Sequence, residues 1–100
     1  MSRTESLGVY LRAQARRRLD RVETHDDGRN ARSALALLDA AAYAESLPGD
    51  DPLIDLLVKA GFFDLGTFDP GEKGARLIRD WYGGEPCELL LALPSLAPSS

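Results

Sequence analysis

The sequence predicts an all-α fold: a small bundle of four main helices, about residues 5–22, 30–46, 52–60 and 70–82, with a short C-terminal element of uncertain type. Three observations carry this. Residues 31–44 read ARSALALLDAAAYA, nearly all Ala and Leu, the two best helix formers. Apolar residues recur at spacings of three and four rather than two. Gly and Pro fall between these segments, where they stop and start helices.

The first helix opens on Ser2-Arg3-Thr4-Glu5, which fits a capping box. Leu7, Leu11, Ala15, Leu19 and Val22 then make one apolar stripe. Gly8 lies beside that stripe, where it allows close approach of a neighbour. Arg18 also projects near it. Either its stem is buried with the guanidinium at the rim, or it meets a specific acidic group. Thr24-His25-Asp26-Asp27-Gly28 reads as a polar turn. It lacks the later ligands and closing Glu of a calcium loop.

In the second helix, Ala31, Ala34, Leu35, Leu37, Leu38, Ala41 and Ala42 cover more of the circumference than one packing stripe. This central helix therefore touches neighbours on two sides or contributes to a dimer seam. Tyr43 falls on its other side with Arg32 and Asp39, where a tyrosine can anchor a partner or simply be half-exposed.

Asp51-Pro52 starts the third helix and Gly61 ends it. Leu53, Ile54, Leu56, Leu57 and Val58 make it apolar over most of its surface, with Asp55 and Lys59 spaced to pair. Phe62 to Phe68 is irregular, with room for two very short extended pieces around Gly66; its three Phe are expected to plug the core. Asp69-Pro70-Gly71-Glu72 opens the fourth helix. Gly74, Ala75, Leu77, Ile78, Trp81 and Tyr82 form its apolar side, and Glu72–Arg76 and Arg76–Asp80 are spaced to pair. Gly83-Gly84 ends it. The segment PCELLLAL, Pro86 to Leu93, reads as a short helix or a strand, with Pro86 favouring helix. Residues 1–93 are thus expected to form one domain and 94–100 a frayed tail.

Composition narrows the function classes. No apolar run approaches the roughly 20 residues that span a bilayer, and the N-terminus has no signal-peptide core. Cys87 is the only cysteine, so no internal disulfide is expected and a cytoplasmic location is the default. The segment has no phosphate-cradling glycine loop, and no Cys or His cluster to hold zinc. His25 is the only histidine and nothing places it beside a nucleophile. No enzyme, no cofactor and no small-molecule substrate are therefore expected.

Charge is unevenly placed. Residues 1–34 hold eight arginines against five acids, and residues 35–100 four basic residues against eleven acids. The two halves could attract each other within the fold, or the basic half could serve a partner. The expected function is a non-catalytic protein–protein interaction module, an adaptor, regulator or inhibitor acting as a homodimer or on another protein. The candidate contact residues are Arg12, Arg16, Arg17, Arg18, Arg21, Ala41, Tyr43, Leu89, Leu90, Leu91 and Leu93. The leucines enter because four in five positions need cover from the domain or from another chain.

A second class remains open. The run LVKAGFFDLGTFDPGEKGARLIRDW, Leu57 to Trp81, resembles the end of many winged-helix regulators. In that family a recognition helix closes on Leu-x-x-x-Gly-Leu, a hairpin wing follows, and Thr-x-x-Gly opens the next helix. Leu57 and Gly61 fit the first phrase, and Glu72-Lys73-Gly74 is similar to the second. The resemblance implies a DNA-binding transcriptional regulator. The sequence departs from that pattern in carrying Asp64 and Asp69 on the wing, and only Lys59 as a base on the would-be recognition helix. A separate nucleic-acid route would use the arginines of the first helix.

Overall fold

The computed structural model describes residues 2–21 and 28–96. Among the described residues there are five α-helices and one two-stranded hairpin: α1 Arg3–Leu19, α2 Arg29–Ser46, α3 Pro52–Lys59, β1 Phe63–Asp64, β2 Thr67–Phe68, α4 Gly71–Arg79 and α5 Pro86–Ala92. A 3-10 helix, Leu93–Leu96, follows α5. The chain is all-α, and the C-terminal segment is helix rather than strand. Pro94, Ser95 and Leu96 belong to that last turn, with Ser95 Oγ donating to the Ala92 carbonyl at 2.8 Å. The 3-10 helix thus takes in the first three residues of the expected tail, and residues 97–100 lie outside the described residues. So do Val22 of the expected apolar stripe, and His25, Asp26 and Asp27 of the expected turn.

The caps act locally, as their chemistry dictates. Ser2 Oγ accepts from the Glu5 N–H at 3.1 Å, and Asp51 Oδ1 from the Leu53 N–H at 2.9 Å. Asp69 Oδ1 takes the Gly71 N–H at 3.0 Å, but as a turn one residue ahead of the helix: Pro70, expected at the first helical position, stands at the N-cap of α4 and makes no side-chain cap. At the end of α3, the Phe62 N–H returns to the Leu57 carbonyl and the Gly61 N–H to the Val58 carbonyl, with Gly61 at φ 90°. That is a Schellman closure, which needs a left-handed residue at this point.

Two helices stop earlier than their periodicity predicts. α1 ends at Leu19, where Asp20 and Arg21 turn back onto the Arg16 and Arg18 carbonyls. α4 ends at Arg79, three residues short, where Trp81 folds against the core; the Arg79 carbonyl, left without a helical partner, accepts from the Arg18 guanidinium. The side-chain pairs expected on α3 and α4 are not made. Asp80 instead lies 3.9 Å from Arg18 and 4.0 Å from Arg79.

α1 and α2 form an antiparallel hairpin. Gly8 lies against Glu45 at one end, and Arg18 donates to Asn30 at the other. Any side chain at Gly8 would place its Cβ 2.5 Å from Glu45 Cγ, so the small residue gives Glu45 its path across α1 to Arg12. Leu7, Leu11 and Ala15 of α1 meet Ala34, Leu37, Ala41 and Ala44 of α2 in the core, all fully buried. Ala40, Ile54, Leu57, Phe62, Phe68, Ile78, Leu89, Leu90 and Leu93 complete it.

The β-hairpin is pinned to this core by one buried hydrogen bond, from the Phe68 N–H to Ser6 Oγ at 2.8 Å. Its register pairs Phe63 with Phe68 and Asp64 with Thr67. Both tip residues, Leu65 and Gly66, have positive φ, 52° and 85°, as a type I′ turn requires. Leucine is a poor occupant: it is strained in this conformation, and Leu65 is 101% exposed, so it gains no burial in return. Leu65→Asn is therefore expected to stabilise the fold by about 0.5–1 kcal/mol. A urea midpoint that rises with an unchanged slope would confirm it; a lower midpoint would show that Leu65 is held by contacts within the chain.

Candidate interaction surface

Of the candidate contact residues, the structure takes several inside. Ala41, Leu89, Leu90 and Leu93 are fully buried in the core of a single chain. The leucine cluster therefore finds its cover within the domain, and these four offer nothing to a partner. Only Leu91 of that group faces out, at 55% exposure. Tyr43 is half-buried and packs against the core.

The arginines divide in two. Arg12 is engaged: its Nε donates to Glu45 Oε2 at 3.2 Å and its Nη2 to Oε1. This bidentate pair holds the Glu45 carboxyl below its usual range. Being exposed, the pair is worth little to stability, and what it gives is present above pH 4.5 and lost as the pH falls through the depressed value. Arg18 turns inward, donating to Asn30 Oδ1 at 3.0 Å and to the Arg79 carbonyl. It joins the ends of α1, α2 and α4, so it braces the fold rather than reaching a partner. Arg16, Arg17 and Arg21 are exposed and make no ion pair among the described residues. The two halves of the charge distribution thus meet within the fold at Arg12, which pairs with Glu45, and at Arg18, which lies 3.9 Å from Asp80.

The surface that stays open lies on the outer side of the α1–α2 hairpin. Val9, Ala13, Arg16 and Asp20 follow at spacings of four, three and four and are all exposed. On α2, Leu35 and Ala42 are exposed and Leu38 is half-buried between them. Val9 is 52%, Leu19 50% and Leu35 62% exposed. A depression of about 670 Å³ runs along this face, lined by Val9, Arg12, Ala13, Arg16, Leu19 and Leu38 among others. Leu19 was expected in the buried stripe; α1 ends there, so half of its side chain stays in water. Half of the over-wide apolar band of α2 is this open side: Ala34, Leu37 and Ala41 go to the core, and Leu35, Leu38 and Ala42 remain. The sequence marks the width of the band but not which edge α1 covers. Val9 and Ala13 went unselected because they lie opposite the stripe that reads as core.

Basic residues gather at the end where α1 finishes and α2 begins. Arg18, Arg29, Arg32, Ser33, Asp80 and Tyr82 line a hollow of about 530 Å³. Gln14, Arg17, Arg18, Arg21 and Arg79 line a smaller one of about 100 Å³. The hairpin β1–β2 stands where a wing would, after α3, but presents Asp64, Leu65 and Thr67 to solvent. Tyr10, packed edge-on to Phe68 at 5.2 Å, has its phenol pushed up by burial, an effect that nearby Arg17 opposes.

Among the described residues, no group of three or more His, Cys, Asp or Glu is placed to hold a metal ion. Among them, too, no helix is long and apolar enough to cross a membrane. No protein-family model matches the chain, and no curated protein or solved structure matches it either.

Proposed function

We propose that this protein is a small non-catalytic interaction module whose working surface is the outer face of the α1–α2 hairpin. One observation supports this above the others. Val9, Leu19 and Leu35 are each half-exposed or more on one two-helix face, with Leu38 in the floor between the helices. Scattered single leucines on a surface need no explanation, but a contiguous apolar face rimmed by arginines is the form of a docking site. A reducing, cytoplasmic setting suits its single free cysteine.

A bait immobilised through its C-terminus tests this. Wild type and Leu56→Arg, altered on α3, should retain the same protein partner, and Leu35→Arg should lose it. All three baits should keep the same helical circular dichroism. Equal retention by Leu35→Arg overturns the assignment of the face.

A second reading is favoured by the arginines that the fold leaves unpaired. Arg17 and Arg21, with Arg79 beside them, form a basic end suited to phosphates. Under this reading a labelled random duplex binds at about 50 mM salt and is released at about 200 mM. Arg17→Ala with Arg21→Ala would weaken that binding and flatten its salt dependence.

A further inference from the structure

We infer that the occupant of the α1–α2 outer face is a second copy of this chain, packed so that α1 of each copy lies against α2 of the other. The inference rests on the interaction reading above and commits it to one partner.

Two features of the face point to self-association. The first is charge. Arg16 on α1 lines the depression, and Asp39 on α2 stands beside it, four residues on from Leu35 and three before Ala42 and so next to both on the helix surface; both are exposed, and neither has an ion-pair or hydrogen-bond partner among the described residues. A face built for a uniformly acidic partner would carry one sign. This one carries both, with Arg16 and Asp20 on α1 and Asp39 on α2, and a face of mixed sign is the condition for a self-complementary surface.

Their heights along the hairpin fit. Gly8 sits level with Glu45, and Arg18 with Asn30, so Arg16 lies level with the neighbourhood of Leu35. Asp39 is then about one turn, roughly 5 Å, further along. A two-fold axis parallel to the helices keeps every residue at its own height and sets α1 against α2 of the other copy. Arg16 of each copy then faces Asp39 of the other within the reach of an arginine side chain, and the pair is made twice. All neighbouring helices in the resulting four-helix layer run antiparallel, the ordinary arrangement of such bundles. Ala13 and Ala42, both exposed, keep the centre of the seam thin enough for close approach.

The second feature is area. Helices of this length are about 27 Å long and sit about 8–10 Å apart, so the hairpin presents roughly 500 Å² on this side. Two such faces bury roughly 1,000 Å², at the lower edge of specific interfaces. The dimer is therefore one that dissociates on dilution, and Arg16 with Asp39 sets its register rather than its strength.

Sedimentation equilibrium on exchanged charges decides this. Wild type should move from monomer to dimer between about 1 and 500 µM, the range over which a weak interface populates. Arg16→Asp alone places like charges opposite each other twice, and so does Asp39→Arg alone; each should self-associate at least about tenfold more weakly. Mixed in equal amounts, the two variants restore both pairs and should dimerise as wild type does. Both positions are exposed, so circular dichroism should match throughout.

A wild type that stays monomeric at the highest concentration overturns the dimer. So does a single variant that associates as wild type, or a mixture that stays monomeric. The interaction reading is judged apart from these outcomes. If wild type is monomeric and Leu35→Arg still loses a foreign protein, the face stands and its occupant is that protein. If Leu35→Arg changes neither self-association nor retention, both fail.

Discussion

Leu90→Arg is expected to leave no folded monomer, whereas Leu91→Arg, one residue further along α5, is expected to leave the fold unchanged. Both positions sit in one run of leucines and look alike in sequence. Leu90 is fully buried and Leu91 is 55% exposed. A guanidinium at position 90 has no water and no acid to meet in a core built from Leu37, Ala41, Leu89 and their neighbours. Burying an unpaired charge while forcing a longer side chain into a close-packed interior costs roughly 4–5 kcal/mol or more. A domain of this size has about 5–15 kcal/mol in total. The Leu91 variant should stay within about 0.5 kcal/mol of wild type. Far-ultraviolet circular dichroism with urea titration reads both. A folded Leu90→Arg monomer would mean that α5 peels away from the core without loss to the rest. That is the outcome expected if these leucines served a partner rather than the domain.

Phe68→Ala carries the next largest effect, a loss of about 3–5 kcal/mol. Phe68 is 4% exposed and sits at the centre of an aromatic group. Its ring centroid is 5.2 Å from that of Tyr10 and 5.6 Å from Phe63, both edge-on, and 6.3 Å from Phe62. These rings join α1, the end of α3 and the hairpin. Two strands of two residues have no stability of their own, so the hairpin depends on Phe68 and on the Phe68–Ser6 hydrogen bond for its place. Removing the ring opens a cavity that three aromatic neighbours cannot fill without moving. The Tyr10 phenol, held above 10.0 by burial, should then titrate closer to that value as water reaches it. Phe63→Ala, at a half-exposed site, should cost less. Equal losses for the two would show that Phe68 is not the keystone of the group.

The parts of this protein that were legible in sequence are those whose physics closes within a few residues. Ser2 caps the N–H three residues on, Asp51 caps the N–H two residues on, Asp69 closes a turn onto Gly71, and Gly61 turns left-handed where α3 must stop. Each partner lies within one turn, so composition and spacing are enough. The extended pieces around Gly66 follow equally from a short aromatic run broken by a turn residue. The class, all-α, is the sum of such local decisions.

Tertiary structure decided everything that depends on which side of a helix is covered. Leu35 and Ala41 belong to one apolar band, yet one is 62% exposed and the other fully buried, because α1 and the core cover one edge and leave the other to water. The leucines of α5 were ambiguous for the same reason: helical spacing says that one side is buried, not whether the cover comes from this chain. Arg18 is the furthest from legible. Its partner carbonyl, on Arg79, is 61 residues away and is free only because α4 stops early there. By itself, then, the sequence determined where each helix begins to within two residues, and how much apolar surface it carries. Only the packing of α1 against α2 determined which part of that surface became core and which remained outside, because burial belongs to pairs of elements and a local pattern describes one element at a time.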